Sequence, residues 1–211
     1  MTVAQRTVFV IDDDLSVRKS LTRLLRSSDY NAEAFASADD FLARPPHSTS
    51  SCVIVDVKMP GLNGIELQEA LIKRRREEQL IFITGHGNIP MCARAMKAGA
   101  IDFLPKPFKP SELLNCVERA LARSSEQREQ MSQKNEARRL LDLLTPREFE
   151  VMQLVITGML NKQVGGQLDM AEKTVKVHRG RVMQKLGVTS VAELVRLAEK
   201  AGVSAPVNNG R

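Results

Sequence analysis

Apolar positions follow two different periods along this chain, and the change from one to the other divides it. In the first part, short runs of β-branched and aromatic residues recur at Val8 to Ile11, Val53 to Val55, Leu80 to Ile83 and Ile101 to Leu104, with a weaker run at Asn31 to Phe35. Continuous apolar runs of this length read as strands buried on both faces of a parallel sheet. Between them the spacing turns helical: Leu15, Arg18, Leu21, Leu24 and Leu25, then Ala38 to Ala43 before Pro45 and Pro46, then Ile65, Leu67, Leu71 and Ile72. Two more helices fit Ile89 to Ala98, ended by Gly99, and Ser111 to Arg123, with Ser111 placed to cap. Five strands alternating with five helices predict an α/β domain, a doubly wound five-stranded parallel sheet covered by helices.

From Ser124 to about Leu141 Gln, Glu, Arg, Lys and Ser dominate, and the segment reads as a polar linker, either a solvated helix or a flexible tether, the helix being the expectation. At Leu144 the signals sharpen. Thr145-Pro146-Arg147-Glu148 offers a capping threonine, proline at the first helical position and glutamate three residues after the cap, with Leu144 and Phe149 placed as a hydrophobic staple. Phe149, Met152, Val155 and Ile156 give that helix its buried stripe. Asn161 is placed to cap a second helix, a third runs from about Glu172 to Leu186 before Gly187, and Ser190 with Glu193 forms a second capping box for a last helix. The expected organisation is an α/β domain over 6–123, a linker over 124–141 and an all-α four-helix domain over 142–206.

At 211 residues the chain is long enough for two small domains with cores of their own. Its longest apolar run falls far short of the ~20 residues of a membrane span, so no membrane partner is expected. The first apolar run leads straight into three aspartates rather than a cleavable leader, which makes a cytoplasmic protein the expectation. Cys52, Cys92 and Cys116 are scattered, without a CxxC pair, and read as small apolar residues. The net charge of +6 is unevenly placed: Lys162, Lys173, Lys176, Arg179, Arg181 and Lys185 face only Asp169 and Glu172. Such a stripe suits phosphate backbones, although charge alone would favour a plain solvated helix face.

The strand ends carry the chemistry. Asp12, Asp13 and Asp14 follow the first strand, Asp56 the third, Thr84 the fourth, and Lys106 comes just after the fifth. The carboxyl edge is where open α/β sheets place their sites. Converging carboxylates repel unless a cation sits among them, and hard oxygen donors with open positions suit Mg²⁺. One carboxylate is then a nucleophile toward a phosphoryl group, with the metal and Lys106 neutralising its oxygens. Each residue has a mundane reading as turn, cap or surface. Together, at the ends of four of the five strands, they do not.

Ile11-Asp12-Asp13-Asp14, Val55-Asp56-Val57-Lys58-Met59-Pro60-Gly61, Phe82-Ile83-Thr84-Gly85-His86-Gly87 and Phe103-Leu104-Pro105-Lys106-Pro107-Phe108 resemble the flavodoxin-like receiver domain of bacterial two-component response regulators. The resemblance implies that Asp56 accepts a phosphoryl group from a sensor histidine kinase. It also implies that Asp13, Asp56 and the backbone carbonyl of Lys58 bind Mg²⁺, with Asp12 helping through water. Thr84 and Lys106 would contact the phosphoryl oxygens, the Lys106-Pro107 bond would be cis, and Thr84 with Phe103 would form the switch.

The stretch from Leu144 to Ala198 resembles the helix-turn-helix domain of LuxR/FixJ-type regulators through Thr145-Pro146-Arg147-Glu148, Asn161-Lys162-Gln163-Val164, Glu172 to His178 and Lys185-Leu186-Gly187-Val188. Burying Val175, Val182 and Leu186 turns Lys173, Lys176, Val177, Arg181 and Lys185 outward, as a major-groove reader needs. Lys176 and Val177 are expected at base edges; Lys162, Thr174, Arg181 and Lys185 at phosphates. Ala171 stands where relatives often have a capping serine, and Gly180 where relatives carry a base-contacting side chain. Together the resemblances imply a phosphorylation-dependent transcriptional regulator, an activator by the commoner role among relatives. They imply promoter DNA, RNA polymerase and a second copy of the chain as partners. The enzyme alternative, a haloacid-dehalogenase-like phosphatase with Asp12 as nucleophile, leaves Asp56 unexplained and lacks a later acidic pair after Lys106; the chain is expected not to be an enzyme.

Overall fold

The computed structural model describes residues 6–85 and 89–203, and these part into two compact units between Arg128 and Glu129. His86 and Gly87 of the third receiver-like motif and the end of the 142–206 range lie outside the described residues.

The first unit holds β1 (Thr7–Ile11), α1 (Leu15–Ser27), β2 (Asn31–Phe35), α2 (Ala38–Ala43), β3 (Ser51–Asp56), α3 (Gly64–Lys73), β4 (Gln79–Thr84), α4 (Ile89–Lys97), β5 (Asp102–Pro105) and the first part of α5 (Pro110–Leu141). All strand pairs are parallel, in the order β2-β1-β3-β4-β5. Residues alternate between two apolar layers, as a pleated strand requires. Phe9, Ile11, Val53, Val55 and Phe82 pack with α2, α3 and α4, while Val8, Val10, Cys52, Ile54, Ile81 and Ile83 pack with α1 and α5. This order reverses direction between β1 and β3, which opens a crevice at their carboxyl ends. Ile11 pairs with Val55 there, so Asp12 and Asp56 follow at adjacent strand ends.

Two expectations change in this unit. Ser111 does not cap: α5 starts at Pro110, and Glu112 Oε2 accepts the Lys109 N–H at 3.1 Å. The polar segment from 124 is helical throughout, and its first residues belong to the first unit. Buried Ser124 accepts the Ser51 N–H on its Oγ at 3.1 Å, Gln79 donates to Gln127 at 2.7 Å, and Arg128 donates to the carbonyls of His47 and Ser48. Cys52 and Cys116 are buried, which pushes both thiols up, and Cys92 is half-buried.

The second unit packs the end of α5 with α6 (Pro146–Val155), α7 (Asn161–Leu168), α8 (Glu172–Leu186) and α9 (Val191–Ala201) around Val151, Met152, Val164, Val175, Val182 and Leu194. The Thr145 capping box forms, with Glu148 Oε2 accepting the Thr145 N–H at 2.9 Å. Asn161 lies inside α7 rather than before it. The N–H of Leu160 goes to Gln163 Oε1 at 2.8 Å, and Asn161 Oδ1 accepts from Arg179 at 3.2 Å. Ser190 caps α9, but Glu193 reaches one residue further back than a capping box does, to Thr189. Ala171 precedes α8 without a side-chain cap.

Candidate functional site

At the carboxyl edge of the sheet Lys106 is the centre. Its Nζ donates to Asp12 Oδ2 and to Asp56 Oδ1, both at 2.9 Å. Asp12 and Asp56 are buried, at 2 and 7 % exposure, and each carboxylate accepts one local backbone N–H as well: Asp14 to Asp12 Oδ1 at 2.9 Å, Lys58 to Asp56 Oδ2 at 2.8 Å. Burial alone would pull the Lys106 ammonium down, but the hydrogen bonds and charges of the two aspartates outweigh it and raise its pKa. Asp13 is exposed, and its carboxylate has no hydrogen-bond partner among the described residues. Asp14 caps α1 through the N–H groups of Ser16 and Val17; those bonds hold its carboxyl below the usual range.

Thr84 is buried at the end of β4, and its carbonyl accepts the Lys106 N–H at 2.7 Å, which ties the ends of β4 and β5 together. The Lys106-Pro107 bond is cis. Phe103 is half-buried, with its ring centre 6.0 Å from that of Phe82. Two participants escaped sequence reasoning. Arg18, in the first turn of α1, donates to the Asp12 carbonyl at 2.5 Å. Gly64 lies under the Asp56 loop, where an added Cβ would stand 2.5 Å from the Asp56 carbonyl oxygen. Its place directly after the Asn63 cap of α3 was the available signal.

In the second unit Val175, Val182 and Leu186 are buried, while Lys162, Lys173, Thr174, Lys176, Val177 and Arg181 are exposed. Lys185, expected at a phosphate, has partners within the chain. Its Nζ donates to Glu148 Oε2 at 2.7 Å and to the Leu143 carbonyl at 3.1 Å, so this ammonium joins α8 to α6 and the turn before it. The Lys185 hydrogen bond and the Thr145 N–H draw the Glu148 carboxyl down to about 2.

Residues 8–118 match the response regulator receiver domain, and residues 142–198 match the luxR family of bacterial regulatory proteins. Nodulation protein W of Bradyrhizobium diazoefficiens is 46% identical over 94% of this chain and 87% of its own length. FixJ of the same organism is 39% identical over 93% of this chain and 96% of its own. Among solved structures, the response regulator StyR superposes with a TM-score of 0.83 at 49% identity, covering 93% of this chain and all of that one. A parallel sheet with an acidic rim, joined in one chain to a helix-turn-helix unit, is a two-component transcriptional response regulator. Within that class the chain belongs to the NarL/FixJ type. Regulators of this kind are phosphorylated by sensor kinases and bind DNA, and their receiver domains bind Mg²⁺. No helix among the described residues is long and apolar enough to cross a membrane.

Proposed function

We propose that Asp56 is the phosphoacceptor of a cytoplasmic regulator whose DNA binding depends on phosphorylation. The observation that carries this reading is the position of the Asp56 carboxylate: buried at the end of β3, with one oxygen on Lys106 and the other on a backbone N–H. A carboxylate held in one orientation is a nucleophile already aimed. As a phosphoryl group is transferred from the kinase histidine to Asp56, the Lys106 ammonium shifts its contact from the carboxylate to the incoming oxygens, and the Thr84 hydroxyl supplies a second donor.

The rim also fits a divalent cation. Asp12 and Asp56 set two buried carboxylates on the Lys106 ammonium, Asp13 adds an exposed one next in sequence, and the donors are all hard oxygens. Among the described residues no three acidic, cysteine or histidine side chains are grouped as a metal site; the reading rests on the donor chemistry, since hard oxygens suit Mg²⁺, an ion that keeps several waters. Asp12, Asp13, Asp56 and the Lys58 carbonyl are the groups that would hold it. Bound there, Mg²⁺ supplies positive charge to the phosphoryl oxygens.

Movement of Thr84 toward the phosphoryl group opens space into which Phe103 turns, which changes the surface near α4. Two phosphorylated copies then pair, two α8 helices meet two half-sites in successive major grooves, and the promoter-bound dimer activates transcription through RNA polymerase. Lys176 and Val177 touch base edges, Lys162, Thr174 and Arg181 hold phosphates, and Lys173 belongs to the same DNA-facing surface. Intact mass and size-exclusion light scattering with Mg²⁺ and acetyl phosphate, on wild type and Asp56→Asn, test this. Wild type gains one phosphoryl mass and moves from monomer to dimer, and the mutant does neither. Phosphorylation of Asp56→Asn at another residue would overturn the assignment, and a phosphorylated monomer would remove the dimer step.

A further inference from the structure

Two glycines of the second unit differ in what surrounds them. At Gly165 on α7 an added Cβ would stand 2.6 Å from the Met170 carbonyl oxygen, so the turn into α8 has room for a hydrogen only. At Gly180, in the middle of α8, an added Cβ would meet nothing within 4 Å. Gly180 is also absent from the residues with positive φ among those described. Neither packing nor backbone conformation within the chain calls for glycine at this position, which a helix tolerates less well than alanine.

The surroundings of Gly180 on the helix show what it faces. At 3.6 residues per turn, Lys173, Val177, Gly180 and Gln184 fall on one line, opposite Val175, Val182 and Leu186. All four are exposed. The Gln184 carboxamide has no hydrogen-bond partner among the described residues, whereas the neighbouring Lys185 is fastened to Glu148 and Leu143. That fastening ties the end of α8, and with it the Gln184 backbone, to α6.

We propose that this turn of α8 is a second sequence-reading segment: Gly180 is where the helix backbone lies against the DNA, and Gln184 reads a base edge beyond it. The proposal rests on α8 entering the major groove. A side chain at 180 would stand between Val177 and Gln184 and hold the helix off the groove floor by its own length. With none there, the Val177 methyls and the Gln184 carboxamide approach the bases together. A carboxamide matches adenine, donating to N7 and accepting from the N6 amino group. Seven residues from Val177 to Gln184 rise about 10.5 Å along the helix. At 3.4 Å per step this is about three base pairs, which places the adenine about three pairs from the one Val177 touches.

Binding-site selection from randomised duplexes, with the full-length protein in Mg²⁺ and acetyl phosphate, tests the assignment on wild type, Val177→Ala, Gln184→Ala, Gly180→Ala and Gly180→Leu. Gln184→Ala is expected to lose a preference for adenine at one position by about tenfold, about three pairs from the position relaxed by Val177→Ala. Its salt dependence stays that of wild type, because no phosphate contact is lost. Gly180→Ala is expected to raise the thermal midpoint while weakening binding to the selected site severalfold, and Gly180→Leu to weaken it further. Opposite signs in stability and affinity cannot come from a damaged fold. Unchanged selection by Gln184→Ala, a loss spread evenly over all sequences, or Gly180→Ala binding as tightly as wild type would each overturn the proposal. Wild type that selects a site while the Gln184→Ala selection is identical removes this proposal alone; wild type without salt-sensitive DNA binding removes the groove reading and this one together.

Discussion

At the rim of the sheet the lysine faces carboxylates, whereas along α8 most cations face none. Lys106 holds two buried aspartates within 3 Å, and Lys173, Lys176 and Arg181 stand exposed without an ion-pair partner among the described residues. The two arrangements suit opposite tasks. A rim that makes and breaks one bond needs its charges oriented in advance, since reorientation during transfer would add to the barrier. A surface that meets a polyanion needs charges released from internal partners, because affinity there comes from displacing counterions. Lys185 belongs to the first kind although it lies in the second region. An ammonium's partners, rather than its place in a basic stripe, decide what it does.

The largest effect expected from breaking this contrast is at the rim. Lys106→Ala leaves two buried carboxylates facing each other and should cost about 3 kcal/mol, read as a fall in the urea midpoint without divalent cation. Unchanged stability would mean that the rim is as well solvated as α8. Next is Glu148→Ala, which strands Lys185 and the Thr145 N–H and should cost about 2 kcal/mol.

The same carboxylate gives the contrast a pH dependence. Because the Glu148 pKa is lowered from 4.5 to about 2 in the folded state, its contribution is complete above pH 4.5 and is lost as pH falls toward 2. Thermal unfolding from pH 5 to 2 should therefore decline less steeply in Glu148→Gln than in wild type. A parallel decline would show that the ion pair does not act in solution.

Ser124→Ala should cost about 1 kcal/mol, since the buried Ser51 N–H loses its acceptor. Urea unfolding followed by a probe in the first unit would register it, and no change would return residue 124 to a plain linker. The smallest effect separates two cations of one helix. Arg181→Ala should lower the slope of log K against log salt by about 1, and Lys185→Ala should leave the slope alone while lowering stability. Equal slopes would erase the distinction.

Much of each unit was legible because its signals are local. A run such as Val53 to Val55 followed by Asp56 announces both a buried strand and its polar end, and Thr145-Pro146-Arg147-Glu148 announces a helix start that the structure forms. Misreadings were also local, a residue or so wide: Asn161 lies just inside α7, Pro110 precedes Ser111 in α5, and Glu193 reaches to Thr189. Several adjacent polar side chains can each satisfy the same free N–H groups at a helix end, so sequence alone leaves the choice among neighbours open.

The sequence by itself determined the kinds of element, their succession and the residue types delivered to the rim and to the outer face of α8, because periodicity and caps act over a few residues. Only the tertiary structure decided which charges are paired. Lys185 meets Glu148 across 37 positions, Ser124 meets Ser51 across 73, and Lys106 meets Asp12 across 94. No local pattern carries those meetings. They follow from how layers pack once the strands are ordered, and packing closes loops whose entropy cost depends little on what they contain.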